Sequence, residues 1–215
     1  QKTNGFLQEK RWNKHYMALK KTFSKACENN RQPILNRLIK IFSNTSDVLE
    51  IGSGTGQHAV FFSSNLPHLV WHASDLPCNH GTINAWIESS SASNVRSPLV
   101  FDVNSTQWTN SLVDGLFTAN TCHIITWSSL ANFFGRLHTI LAPGGIFVIY
   151  GPFKYGGKFT SQSNQEFDLI LKNNHSHQGI RDFEALDELA AGAGLKLIED
   201  YPMPANNQLL VWKRV

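Results

Sequence analysis

Glu50-Ile51-Gly52-Ser53-Gly54-Thr55-Gly56 is the stretch on which the fold turns. It follows the apolar run Val48-Leu49 and leads into a helical pattern carrying Ala59, Val60, Phe61 and Phe62. Glycine lets a backbone turn tightly and approach a ligand closely, and a helix start presents backbone N–H groups with no partner inside the helix. The glycines alternate at 52, 54 and 56. The dinucleotide fingerprint G-x-G-x-x-G would instead need a third glycine where Gln57 stands. An acid, Glu50, precedes the first glycine by two residues. A carboxylate there repels a pyrophosphate seated at the helix start and attracts a cationic ligand.

Outward from this turn, strand-like and helix-like stretches alternate. Leu69 to Ala73, ending at Ser74-Asp75, predicts a second strand, and Thr82 to Ser90 a helix. Leu99 to Val103 predicts a third strand and Gly115 to Ala119 a fourth, ending at Asn120. Leu130, Phe133, Phe134, Leu137, Ile140 and Leu141 form a helical stripe that Pro143-Gly144-Gly145 breaks. Ile146 to Tyr150 reads as a fifth strand, Phe183 to Ala191 as a helix, and Leu195 to Ile198 and Leu209 to Trp212 as two late strands. Upstream, Pro33 suits a first helical turn followed by Ile34, Leu35, Leu38, Ile39 and Phe42. Such alternation predicts an α/β, Rossmann-like, mostly parallel sheet with helices on both faces. Its ligand crevice lies beyond the carboxyl ends of the strands.

Two further acids stand at predicted strand ends. Asp75 can accept hydrogen bonds from both hydroxyls of a ribose, and Asp102 closes the third strand. The acidic-x-G-x-G-x-G form resembles the first motif of class I S-adenosylmethionine-dependent methyltransferases. That resemblance implies an adenine contact for Asp102 and the Val103 backbone, and a positively charged methionyl end near Glu50. In related folds the segment before the first strand covers the methionine end. Arg31 lies there and could clamp a carboxylate with two parallel bonds. The expected cofactor residues are therefore Arg31, Glu50, Gly52, Ser53, Gly54, Gly56, Gln57, Asp75, Asp102, Val103 and Asn120.

From Ala26 to the C-terminus the chain resembles one family: a bacterial domain-of-unknown-function group that includes methyltransferase-like 26 of animals. Asn30-Arg31-Gln32-Pro33-Ile34-Leu35, Tyr150-Gly151-Pro152-Phe153, Ser163-Asn164-Gln165-Glu166-Phe167-Asp168, Gly179-Ile180-Arg181-Asp182 and Met203-Pro204-Ala205-Asn206-Asn207 carry the resemblance. It implies a seven-stranded sheet with one antiparallel strand, and S-adenosyl-L-methionine as cofactor with S-adenosyl-L-homocysteine as product. The acceptor would face the ends of the fourth and fifth strands. His123, Tyr150 and Asn120 are the expected catalytic residues, His123 as a base because imidazole titrates near neutral pH. Ile124, Phe153, Tyr155, Asn164, Asp168 and Arg181 are further candidate pocket residues.

Composition bounds the rest. Hydrophobic residues make up 41% and charged residues 16% of 215 residues, enough for a large core. No apolar run approaches a bilayer span, and Gln1 to Arg11 lacks an apolar signal core, so a cytoplasmic protein is expected. Cys27, Cys78 and Cys122 read as free thiols, and His175 and His177 as a polar loop; no metal site is expected. Residues 1–28 are expected to form a helical arm or lid, basic through Lys10, Arg11, Lys14, Lys20, Lys21 and Lys25, and residues 29–215 the catalytic domain. The expected partner is a small-molecule acceptor, with neither membrane nor nucleic acid, in a monomer or homodimer. A macromolecular methyltransferase acting on protein or RNA, and a non-enzymatic S-adenosylmethionine-binding protein, are the alternatives.

Overall fold

The computed structural model describes residues 21–108 and 111–215. The arm expected over residues 1–28 lies outside them except for its end, and so do Lys10, Arg11, Lys14 and Lys20. Residues 21–24 belong to no helix or strand, with Ser24 extended, and α1 (Lys25–Ile41) follows. Ser24 caps α1, its side chain accepting from the Cys27 N–H, so the helix starts well before the expected boundary and Pro33 lies inside it. A boundary at residue 28 would cut this helix.

Seven strands form the main sheet: β1 (Asp47–Ile51), β2 (Val70–Asp75), β3 (Val95–Val100), β4 (Val113–Ala119), β5 (Leu141–Gly151), β9 (Leu195–Met203) and β10 (Asn207–Arg214). Their order is β3-β2-β1-β4-β5-β10-β9. β1 to β5 are parallel, whereas β10 runs antiparallel to both β5 and β9. This is the expected Rossmann-like sheet with one antiparallel strand.

Strands buried on both faces send alternate side chains to opposite layers. Phe147 and Ile149 of β5, with Leu210 and Trp212 of β10, pack against α4 (Trp127–Arg136) and α6 (Phe183–Gly192). Val148, Tyr150, Leu209 and Val211 join the opposite layer with α1, α2 (Gln57–Asn65) and α3 (His80–Glu88). Trp71, Phe62 and Phe117 meet in its centre, with ring centroids 5.4–5.7 Å apart.

Four elements were not legible in the sequence pattern. A small sheet of β6 (Phe153–Tyr155), β7 (Lys158–Phe159) and β8 (Arg181–Asp182), with α5 (Gln162–Asn174), forms the insertion after β5. The third strand also differs: β3 ends at Val100, leaving Asp102 in the following turn. β3 is an edge strand that tolerates Pro98 and exposes Leu99 and Val100, so its register follows pairing with β2 rather than the apolar run around Phe101.

Candidate functional site

The strand order reverses between β1 and β4, which is where an open α/β sheet leaves a crevice. A cavity of about 310 Å³ occupies that place, walled by Gly52, Ser53, Gly54 and Thr55 after β1 and by Asn120 and Thr121 after β4. Gly52 and Gly54 have φ of 72° and 58°, conformations that L side chains rarely adopt. The N–H of Gly54 donates to Asp75 Oδ2 at 2.7 Å, while Asp75 Oδ1 accepts from the Leu76 N–H and Asn79 Nδ2. The carboxylate that ends β2 therefore braces the glycine turn.

Glu50 stands behind this wall rather than in it. Its Oε2 accepts from Ser53 Oγ at 2.9 Å and Trp71 Nε1 at 3.1 Å. Burial pushes its pKa up to about 7, against which the two hydrogen bonds work. The folded chain thus keeps a proton on Glu50 between about pH 4.5 and 7, where the unfolded chain has released it. Stability from this group is full below the lower pH and is lost as pH rises through the window. Glu50→Gln keeps an oxygen for both donors and removes the charge. Denaturation at pH 5 and pH 8 is expected to show the ligand-free variant gaining on wild type by on the order of 2 kcal/mol at the higher pH. Parallel pH profiles would contradict an ionisable, desolvated Glu50.

The neighbouring strand ends lie along one rim: Ile51 pairs with Ser74, Asp75 pairs with Val100, and the Phe101 N–H donates to Asp75 O. Asp102 is on this rim but outside the cavity wall. Its Oδ1 accepts from the Asn104 N–H, closing a tight turn, and its carbonyl accepts from Trp108 Nε1. Val103 packs on the core beside α4, its carbonyl accepting from Asn132.

Three expected ligand residues are engaged elsewhere. Arg31 pairs with Glu28 and stacks over Phe61, its guanidinium carbon 4.5 Å from the ring centroid, and it is not a wall residue of the 310 Å³ cavity. Gln57 ties down the segment before α1: Oε1 accepts from the Ser24 N–H at 2.5 Å and Nε2 donates to Ser24 O at 3.3 Å. Gly56 turns at φ 90° against α3, where a Cβ would lie 2.9 Å from Ile83 Cα. It is needed for helix packing.

A second cavity, of about 620 Å³, adjoins the first, sharing Asn120 and Ala26 as wall residues. Asn120, at φ 58°, has its N–H fixed by Tyr150 O at 2.8 Å. His123, Tyr150 and Asn164 also line this cavity. So the expected catalytic trio of His123, Tyr150 and Asn120 is brought together. His123 is only 5% exposed, and neither ring nitrogen bonds to protein among the described residues. Burial, and secondarily the Arg181 charge, lower its pKa to about 4, so the ring is neutral at physiological pH. Tyr150 is held protonated by burial, with the Asn30 side chain facing its hydroxyl. Asn30 Oδ1 in turn accepts from His58 Nε2 at 2.7 Å, linking the two cavities.

Arg181 and Asp168 support the site from behind. Arg181 donates to the carbonyls of Cys122, Ile125 and His177, bracketing the loop that carries His123. Asp168 accepts from the Ile180 N–H and pairs with Lys172. Phe153 belongs to the core, and the Tyr155 hydroxyl donates to Asp200, so neither reaches the cavity. The wall residues missed in the sequence include Asn29, Asn30, Pro152, Ser163, Phe167 and, from the turn that the β9–β10 hairpin returns to the same rim as the end of β5, Pro204, Ala205 and Asn207.

Among the described residues no helix is long and apolar enough to cross a membrane, and no cluster of His, Cys, Asp or Glu could hold a metal ion. The fold is similar to several solved structures. An O-methyltransferase family protein from Burkholderia thailandensis superposes with a TM-score of 0.77 at 16% identity, over 88% of this chain and 57% of that one. Human N-acetylserotonin methyltransferase in complex with SAM gives 0.73 at 15%, over 88% and 52%. An O-methyltransferase family 2 protein from Planctomyces limnophilus in complex with apigenin gives 0.70 at 14%, over 87% and 62%. The chain thus spans little more than half the length of these proteins. Residues 21–214 match the family described as protein of unknown function (DUF938), and the chain belongs to that family.

Proposed function

We propose that this chain is an S-adenosylmethionine-dependent methyltransferase acting on a small-molecule acceptor. The observation that carries the reading is two adjoining cavities at the switch point, one cradled by glycines and one containing a neutral, unpartnered histidine, meeting at Asn120. The smaller cavity suits this donor because no Lys or Arg stands among the described residues that line it, and His58 is kept neutral, its pKa lowered to about 4 by burial. A pyrophosphate would find no lysine or arginine in the wall itself to balance its charge. Solved structures with the same fold, one of them in complex with SAM, agree with this reading.

When bound, S-adenosylmethionine supplies a methyl carbon whose bond to sulfur breaks, the electron pair staying on sulfur, as an acceptor atom bonds to that carbon. Gly52, Gly54 and Ser53 would hold its methionyl end, and a bound cation would draw Glu50 behind them, whose pKa is raised to about 7, into its ionised form. Asp75 has one further lone-pair direction for a ribose hydroxyl beyond the three donors it already meets. The chain's own contribution to rate is positioning and exclusion of water, plus removal of an acceptor proton by His123.

Calorimetry with S-adenosylhomocysteine and with NAD tests the reading. One-to-one binding of the former and none of the latter is expected. Absence of any heat with S-adenosylhomocysteine would end it.

A further inference from the structure

The larger cavity carries chemistry of its own. Among the described residues that line it, none is Asp, Glu, Lys or Arg. Its polar groups are the amides of five asparagines, Asn29, Asn30, Asn120, Asn164 and Asn207, the Ser163 hydroxyl, the Tyr150 hydroxyl and the neutral ring of His123. Its apolar surfaces are flat: the Phe167 and Tyr150 rings, and Pro33, Pro152 and Pro204. The charges beside the wall are paired or engaged: Arg181 on three carbonyls, Asp168 on Lys172 and the Ile180 N–H, and Arg31 with Glu28.

A carboxylate, phosphate or ammonium entering this space would lose water without gaining a partner, which is heavily disfavoured. A cation would also lie close to the donor's sulfonium. A neutral hydroxyl has no such penalty. His123, 95% enclosed by the figure of 5% exposure, presents an unpartnered nitrogen lone pair to the space, and a neutral imidazole accepts one hydrogen bond through that nitrogen. Asn164, also 5% exposed, uses its Nδ2 on Asn206 O and Thr160 Oγ1, leaving Oδ1 as an acceptor. The Phe167 ring meets His123 edge-on at 5.4 Å, so an aromatic surface stands beside the proton acceptor. The volume, about 620 Å³, falls within the range for drug-sized ligands.

Resting on the methyltransferase reading above, we propose that this cavity takes an uncharged, ring-bearing alcohol or phenol, and that the hydroxyl proton passes to His123. The balance is complete: the hydroxyl oxygen gains the methyl carbon, the carbon–sulfur pair stays on sulfur, and the proton moves to the imidazole. Positive charge lost at sulfur reappears on the ring, so the enclosed site keeps its net charge.

The test uses the full chain saturated with S-adenosylhomocysteine, and ligand-observed NMR near neutral pH. The probes are a fragment set of ring hydroxyls, including 2-naphthol, each matched with its carboxylate, phosphate and aminomethyl counterparts. Hydroxyl members are expected to bind at least about tenfold more tightly than their charged counterparts. Phe167→Ala is expected to weaken them several-fold while leaving S-adenosylhomocysteine affinity unchanged. Ser163→Asp, in the first turn of α5 where an acid is tolerated, is expected to admit the aminomethyl members. Charged members binding as tightly as neutral ones, or no ring hydroxyl binding at all, would overturn the proposal. Failure of S-adenosylhomocysteine itself to bind would instead overturn the methyltransferase reading.

Discussion

Replacing His123 with glutamine is expected to slow methyl transfer by on the order of 10²- to 10⁴-fold, with S-adenosylhomocysteine affinity changed less than about twofold. The geometry separates the two effects. His123 lines the larger cavity only, while the glycine turn forms the smaller one. Its position is set from outside its ring: its carbonyl accepts from the Gly179 N–H at 3.0 Å, and Arg181 holds the carbonyls of Cys122 and Ile125 on either side. Glutamine can fill the space and accept a hydrogen bond, but an amide cannot take up the proton. Because burial and Arg181 hold the imidazole pKa near 4, the wild-type ring stays neutral through most of the acidic range. The expected kcat therefore stays level from neutral pH down to about 5, in contrast to the usual fall near an unperturbed histidine pKa of about 6.5. Initial rates with labelled donor and a ring hydroxyl acceptor measure both. A glutamine variant with wild-type kcat would remove the base and leave His123 as wall.

The sequence pattern reveals what hydrophobic periodicity and turn chemistry encode. The glycine turn, Asp75 and the ends of β4 and β5 are legible because apolar strands stop abruptly at residues of other character. α5 is not, because its buried face is Asn164, Asp168 and Leu171. That spacing is helical, but two of the three residues are polar, so no apolar stripe marks it. The same holds for Asn30, buried one turn before Ile34 on α1. Arg31 is its neighbour and is rotated by about 100° around the helix, which carries it to Glu28 and Phe61 rather than the cavity. A side chain's chemistry pointed to a ligand, and helical phase gives it other partners in the ligand-free chain. For Gln57 the competing partner, Ser24, lies 33 positions away, and local pattern says nothing about such pairings.

Buried polar residues that no hydropathy profile reveals, Asn30, His123 and Asn164, thus line the larger cavity, and this has a physical reason. A core position filled by Asn or His is destabilising unless it is satisfied. Asn30 and Asn164 are satisfied by His58, Asn206 and Thr160, while the His123 ring is left unpaired beside the cavity. Among the described residues no fully buried side-chain nitrogen or oxygen lacks a partner, so the His123 ring keeps its access to the cavity, where a ligand could complete its hydrogen bonding.

Gly56→Ala is expected to lower stability by roughly 4 kcal/mol, combining backbone strain with overpacking, and so to lower Tm by about 8–16 °C for a chain of this size. Two independent costs combine there. At φ 90° an alanine is strained whatever surrounds it. Its Cβ would also lie 2.9 Å from Ile83 Cα and 3.3 Å from Ile83 O, both backbone atoms of α3 that no rotamer change can move. Relief requires α2 and α3 to separate, and Phe62 and Ile83 share one buried layer. Gly54→Ala isolates the first cost. Its φ of 58° imposes comparable strain, yet a Cβ there meets nothing within 4 Å, and its N–H can still reach Asp75. The loss expected for Gly54→Ala is therefore about 1–2 kcal/mol, at most half that of Gly56→Ala. Thermal unfolding of the two variants side by side makes the comparison. Equal losses would mean that the glycines are required only for backbone conformation, and that the close approach of α3 to the turn plays no part in holding the cradle shut.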